Sequence, residues 1–327
     1  MFLLSPSVFG WDLLLLIVMT VTAAFAVLCC ARLRTHTHWK WWQKFPFRIA
    51  GVLSALACTA VFYGSFIEPQ LIVVNRFEVP FPSPTPLKIA LLSDIHVGPY
   101  KDAAFVQRVV DEANSQLPDL VLIAGDFLFD ENTPLTALSP LANLSAPLGV
   151  FAVSGNHDVG RFLQMDFVTP IARQDRSEGL SSALESLGIR VLRNENATIR
   201  QGSTRIAVAG VDDIWSNHSN LDDALKGVSA ETPLILLAHQ PDIALDTLST
   251  RADLIVSGHT HGGQIRLPWY GALAPIPSKM GRKYDQGIFS VGNETTLAIT
   301  RGLGETLLRS RFFAWPQIMM LETVPRS

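Results

Sequence analysis

The chain has 327 residues, with 26 Lys and Arg against 29 Asp and Glu, and its formal charge is −3. That length suits one large catalytic domain with an appendage, and the near-balanced charge gives no reason to expect nucleic-acid binding through bulk electrostatics. The three cysteines, Cys29, Cys30 and Cys58, all precede residue 70. A disulfide framework, a zinc–thiolate site and a cysteine nucleophile are therefore excluded from the rest of the chain.

Leu13 to Ala31 and Ile49 to Ile67 are 19-residue runs without a charged side chain. Roughly 20 apolar residues cross a hydrocarbon core, so each run predicts a transmembrane helix. A cleaved signal peptide is the competing reading of the first run, but no basic residue precedes it and a second run follows. Between the two, Arg32 to Arg48 carries five basic residues, no acidic one, and Trp39, Trp41, Trp42, Phe45 and Phe47. Short Lys/Arg-rich loops stay in the cytoplasm and Trp favours the headgroup region. The expected topology puts this turn in the cytoplasm and everything after about residue 70 on the other side, the periplasm in a two-membrane bacterium.

Residues 1–70 thus read as a two-pass membrane anchor. Residues 71–86, with Pro80, Pro82, Pro84 and Pro86, read as a Pro-rich connector: a short strand or extended arm, then a semi-rigid spacer holding the next domain off the bilayer. Residues 87–327 read as the catalytic domain.

Within that domain, Leu87 to Leu92, Leu120 to Ala124, Val150 to Ser154, Leu234 to Ala238 and Leu254 to Ser257 are short, nearly continuous apolar runs. Such runs are the pattern of strands buried on both faces. Arg205 to Val211, Gly287 to Val291, Thr296 to Thr300 and Gln317 to Glu322 are further strand candidates. Ala103 to Gln116 and Glu178 to Leu187 have helical spacing. The mixture predicts an α/β fold with both βαβ units and hairpin-like pairing.

Five motifs follow those five apolar runs: Ser93-Asp94-Ile95-His96, Gly125-Asp126, Gly155-Asn156-His157-Asp158, Ala238-His239-Gln240-Pro241, and Gly258-His259-Thr260-His261-Gly262-Gly263. In open α/β sheets, ligands collect beyond the carboxyl ends of strands, so the motifs are expected to converge. Asp94, His96, Asp126, Asn156, His239, His259 and His261 offer oxygen and imidazole donors but no thiolate. Seven donors suffice for two divalent cations sharing a carboxylate, which activate a water for hydrolysis. Mn, Fe and Zn all suit such donors.

The five motifs, in this order, resemble those of the calcineurin-like metallophosphoesterase superfamily, in particular a bacterial membrane-anchored phosphodiesterase branch. The resemblance spans about residues 87–323. It implies a four-layer αββα sandwich of two mixed sheets flanked by helices. By the same resemblance, Asp94, His96, Asp126 and His261 hold one metal, and Asp126 bridges to a second held by Asn156, His239 and His259. It further implies that His157 is a general acid and Asp158 its orienting partner. The implied activity is hydrolysis of phosphodiesters or phosphomonoesters, lipid-linked ones among them.

Two alternatives stand beside that reading: a pyrophosphohydrolase acting on a UDP-2,3-diacylglucosamine-type lipid precursor, and a metal-bound binding module without catalysis. The first requires a cytoplasmic site, and the second leaves the His157–Asp158 pair without a purpose. No protein partner and no specific nucleic acid are expected. Asp212, Asp213 and Arg301 are candidates for substrate contact, with capping or pairing roles as the plainer reading, while His36, His38 and His218 read as loop residues. Val159 to Arg176 and Leu267 to Gln286 are long enough to form lids or binding surfaces.

Overall fold

A computed structural model describes residues 6–162, 171–172, 174–292 and 294–326. Helices α1 (Pro6–Thr35) and α2 (Trp41–Phe62) form an apolar hairpin. Both are long and apolar enough to cross a membrane, and most of their large apolar side chains are exposed. Small residues let them approach: a Cβ on Gly51 would lie 3.1 Å from Cys29 Cβ, and Ser54 donates to the Thr22 carbonyl at 2.8 Å. Arg32 and Arg34 end α1, and His36 stacks on Trp39 at 4.3 Å, so the connecting turn is both basic and aromatic.

After α2 the helix relaxes into a π turn, Tyr63–Ile67, and a 3-10 turn, Glu68–Gln70. The carbonyl of Gly64 accepts from Arg311 N–H at 2.8 Å, and a Cβ on this glycine would lie 3.0 Å from Arg311 O. A larger residue would push the anchor off the domain it touches.

The elements that follow are β1 (Val73–Phe81), β2 (Lys88–Leu92), α3 (Ala103–Ser115), β3 (Leu120–Ala124), β4 (Val150–Val153) and the short pair β5 (Arg161–Phe162) and β6 (Ile171–Ala172). Next come α4 (Ser177–Ser186), β7 (Arg190–Val191), β8 (Glu195–Gln201), β9 (Thr204–Gly210), α5 (Leu221–Ala224), β10 (Leu234–Leu237) and β11 (Leu254–Ser257). Last are the short hairpin β12 (Arg266–Leu267) and β13 (Gly271–Ala272), then β14 (Gly287–Val291), β15 (Thr295–Ile299) and β16 (Gln317–Pro325).

Two six-stranded mixed sheets result, ordered β1-β16-β2-β3-β4-β7 and β14-β15-β11-β10-β9-β8. In the first, β2, β3, β4 and β7 run parallel; in the second, β9, β10, β11 and β15 do. Their facing sides bury Leu91, Leu122, Val153, Val208, Leu237 and Val256 against one another. The outer face of the first sheet is covered by α3 and α4 through Phe105, Val109, Leu180 and Leu184, and that of the second by α5 and neighbouring turns through Leu221, Ala224 and Ile243. This is the four-layer αββα sandwich.

Helix α3 shows why the local sequence specifies its element. Asp102 caps it by accepting from Phe105 N–H at 3.0 Å, and the five apolar residues of one face are all buried.

The structure departs from the spacer expected after the anchor. Residues 73–81 pair with β16 along all nine positions as the outer strand of the first sheet. Val79 and Phe81 point into the core, and an edge strand tolerates Pro80, whose missing N–H costs nothing where no neighbour accepts it. Half of the segment Val159 to Arg176, residues 163–170 and 173, lies outside the described residues.

Candidate metal centre

Every motif sits where a parallel strand ends. Asp94 and His96 follow β2, Asp126 follows β3 and Asn156 follows β4, while His239 follows β10 and His259 and His261 follow β11. The carboxyl ends of the two sheets face each other, so residues far apart in sequence meet at one rim. One ligand atom each of Asp94, His96, Asp126 and His261 lies within 4.8 Å of the others, and Asp126, His239 and His259 form a second such group. All seven expected donors are buried.

Asp126 belongs to both groups. Its Oδ2 lies 3.5 Å from His96 Nε2 and 3.2 Å from His239 Nε2, while its Oδ1 accepts the backbone N–H of His157 at 2.8 Å. Gly155 makes room for this carboxylate, because a Cβ there would collide with Asp126 Oδ1. Asn156 Oδ1 lies 3.0 Å from His239 Nε2, which puts it on the second group's side.

Backbone carbonyls set the histidine tautomers. The outward nitrogens face Leu128 O (His96 Nδ1, 3.2 Å), Ala124 O (His239 Nδ1, 2.6 Å), Pro277 O (His259 Nε2, 2.9 Å) and Gly304 O (His261 Nδ1, 3.1 Å). A carbonyl only accepts, so each outward nitrogen carries a proton and each neutral ring presents its lone pair inward. His96 Nε2 and His261 Nε2 then face each other at 3.3 Å, and His259 Nδ1 faces His239 Nε2 at 3.2 Å. Two lone pairs at that distance repel unless a metal ion or a proton lies between them. The donor set therefore fits divalent cations on geometry as well as on chemistry.

The protonation preferences agree. Burial pushes His96 and His259 down to about 3, and burial with His96 and Arg311 nearby holds His261 well below the ordinary imidazole range. Burial also acts against a proton on His239, but the carboxylates of Asp126 and Asp94 outweigh it and lift this ring to about 10. Burial raises Asp94 to about 6. One imidazolium thus balances the carboxylates where a metal would.

Backbone strain is concentrated here. Among the described residues, Asp94, His96, Asp126, His259 and His261 are five of the twelve non-glycine positions with positive φ. Each such residue costs roughly 1 kcal/mol or more, and strain of this kind persists where the surroundings over-determine it. His259 N–H, for example, donates to both oxygens of Asp94, at 3.1 and 3.0 Å.

His157 lines the open side of the site. Its Nδ1 faces the Phe129 carbonyl at 3.1 Å and its Nε2 faces Thr306 Oγ1 at 3.2 Å. The Asp158 carboxylate accepts from the backbone N–H groups of Gly155 (2.9 Å), Phe127 (3.0 Å) and Leu128 (3.1 Å) and pins the loops after β3 and β4 together.

The plainer readings hold for several other residues. Asp213 accepts from Ser216 N–H and the Gln240 amide, Asp212 meets Arg193 and Asn194, and Arg301 donates to Asn75 at 2.8 Å.

Three residues near the site escaped the sequence reading: Thr306, Trp215 and Arg311. The Trp215 ring stands edge-on to His259 at 4.5 Å, and Arg311 Nη2 lies 3.4 Å from His261 Nδ1. None lies in a motif or at a telling spacing, so no local signal marked them.

Two sheets that bring carboxylates and imidazoles to one rim define a metal-dependent phosphoric ester hydrolase. The chain belongs to the calcineurin-like phosphoesterase family, whose model matches residues 87–263. It is 32% identical over 289 residues to the uncharacterized metallophosphoesterase YkuE of Bacillus subtilis, covering 84% of this chain and 95% of that one. It is also 32% identical over 270 residues to the phosphodiesterase YaeI of Escherichia coli, covering 80% and 92%. Identity to the UDP-2,3-diacylglucosamine pyrophosphatase LpxG of Chlamydia trachomatis is 27% over 315 residues, covering 83% and 94%.

Proposed function

We propose that this protein is a membrane-anchored phosphoesterase that hydrolyses phosphodiesters or phosphomonoesters at a two-metal site, with its catalytic domain outside the cytoplasm. The observation that carries the reading is the sharing of Asp126 between two groups of inward-facing donors. Asp94, His96, Asp126 and His261 would hold one cation, and Asp126, Asn156, His239 and His259 the other. Bound there, two divalent cations supply Lewis-acid charge for the phosphoryl oxygens and lower the pKa of an attacking water.

The protein's own groups do the rest. The carbonyls behind the imidazoles keep the lone pairs turned inward. His157 Nε2 lies on the open side, where the doubly protonated ring would protonate the leaving oxygen. Thr306 Oγ1, 3.2 Å away, holds that ring in place, and the Phe129 carbonyl fixes its other nitrogen.

The basic, Trp-rich turn between α1 and α2 supports an extracytoplasmic catalytic domain. The pyrophosphohydrolase reading is favoured by the similarity to LpxG, a pyrophosphatase of a nucleotide-linked lipid. It needs the opposite topology.

Full-length protein in detergent should release p-nitrophenolate from bis(p-nitrophenyl) phosphate with Mn, and D126A should lose at least roughly a thousandfold in kcat/KM. Retention of full metal-dependent activity by D126A would refute the assignment.

A further inference from the structure

Beside the donors lies a cavity of about 310 Å³. Asp126, Asn156, His259 and His261 line it together with His157, and the remainder includes Trp215, Ile265, Leu273, Ile276, Leu307 and Leu308. Phosphoryl chemistry needs none of those side chains. Leu273 and Leu307 are 46% and 43% exposed, so apolar surface stays in water until something covers it.

The place of the cavity says what that something is. Leu308 is followed by Arg309, whose guanidinium lies 4.7 Å from the Phe66 ring and pairs with Asp12 at 3.5 Å; these two partners belong to the anchor. Two residues on, Arg311 N–H reaches Gly64 O, and Phe312 stands edge-on to Tyr63 at 6.3 Å. The wall of the cavity therefore runs directly into the dock of the second apolar helix.

The β12–β13 hairpin lies against the same segment, with Arg266 N–H donating to Phe312 O at 2.8 Å. At its tip Trp269 is wholly exposed and Tyr270 is 57% exposed, with the Arg282 guanidinium 4.8 Å from the Tyr270 ring. Exposed Trp and Tyr beside cations are the composition of a membrane interface.

We propose that this cavity takes the hydrocarbon part of a membrane-resident phosphate ester, delivered from the bilayer that holds α1 and α2. The inference rests on the phosphoesterase reading above. The reaction remains a hydrolysis: the oxygen of water joins phosphorus, the ester P–O bond breaks, and the leaving oxygen takes a proton.

The test uses full-length protein in detergent and a series of alkyl p-nitrophenyl phosphates, from methyl to octyl, that share one leaving group. Each methylene entering the cavity should raise kcat/KM by up to roughly fourfold, so the octyl ester should exceed the methyl ester by about 30-fold or more. In the L273S/L307N double variant the octyl-to-methyl ratio should fall at least about tenfold. Both positions are partly exposed, and Asn suits the positive φ of Leu307, so the variant should fold.

A flat series in the wild type would overturn the inference while leaving the phosphoesterase reading intact. A rising series shared fully by the double variant would also overturn it, since micelle partitioning then explains the trend. No metal-dependent release from any ester would overturn both.

Discussion

Arg311 touches the candidate metal site and the end of the second apolar helix at once: its Nη2 lies 3.4 Å from His261 Nδ1, and its own backbone N–H donates to Gly64 O at 2.8 Å. The guanidinium, fully buried, also donates to the carbonyls of Gly304 (2.5 Å), Arg301 (3.0 Å) and Ala314 (2.6 Å). Gly304 O is the acceptor that turns the His261 lone pair inward. Nearby, Glu68 accepts from Ala314 N–H at 2.6 Å, and Lys101 reaches Pro69 O while pairing with Glu305 at 3.3 Å. The end of the second apolar helix is thus a supporting wall of the site.

A fragment beginning at Leu71 should suffer for this. It loses the Glu68 and Pro69 acceptors, which strips Ala314 N–H of its partner and leaves buried Lys101 with Glu305 alone, at about 1–3 kcal/mol for each lost hydrogen bond. The expected result is a Tm lower by roughly 10 °C than that of the full chain, together with weaker Mn binding. Equal Tm and equal affinity in the two proteins would show that the anchor merely tethers.

The proposed proton delivery by His157 would have a leaving-group signature. H157Q should lower kcat by about 10²–10⁴ for an ester with an alkyl leaving group and far less for one with p-nitrophenolate, which leaves without a proton. Metal content should be unchanged. An equal loss on both substrates would assign His157 to binding or folding instead.

Metal binding should release a proton. In the metal-free protein the His239 ring, lifted to about 10 by Asp126 and Asp94, keeps its proton at pH 7.5, whereas the other three imidazoles are already neutral. A cation at His239 must displace that proton, so affinity should rise about tenfold per pH unit between 7 and 9 and level off near 10. Calorimetry in buffers of different ionisation enthalpy reads the proton directly. A pH-independent affinity would contradict the assigned protonation.

Membrane orientation has its own test. A reporter active only outside the cytoplasm should work when fused after Arg326 and fail when placed in the turn at Thr37. The reverse pattern would favour the pyrophosphohydrolase reading, which needs its site in the cytoplasm.

Much of this site could be read from the chain because the chemistry sits in short motifs, each fused to the end of an apolar run. A strand buried on both faces announces itself locally, and the residue after it inherits a predictable place, as Asp94, Asp126 and His259 do. The role of Asp158 was not legible, because its partners are backbone N–H groups near residues 127 and 155, which any sequence supplies. Arg311 and Thr306 were hidden for a related reason: they reach the site from a loop after β15 that has neither a motif nor a period. The prolines near residue 80 suggested a semi-rigid spacer after a short strand or extended arm, yet pairing with β16, more than 200 residues away, draws residues 73–81 into the sheet.

Whether Asp126 joins two cations at the facing strand ends is read by metal stoichiometry together with Mn–Mn spin coupling in the full-length protein. Two Mn per chain, exchange-coupled at about 3.5–4 Å, are expected, with the coupling abolished in D126A. One isolated Mn per chain, or a coupled pair that survives D126A, would contradict that bridging role.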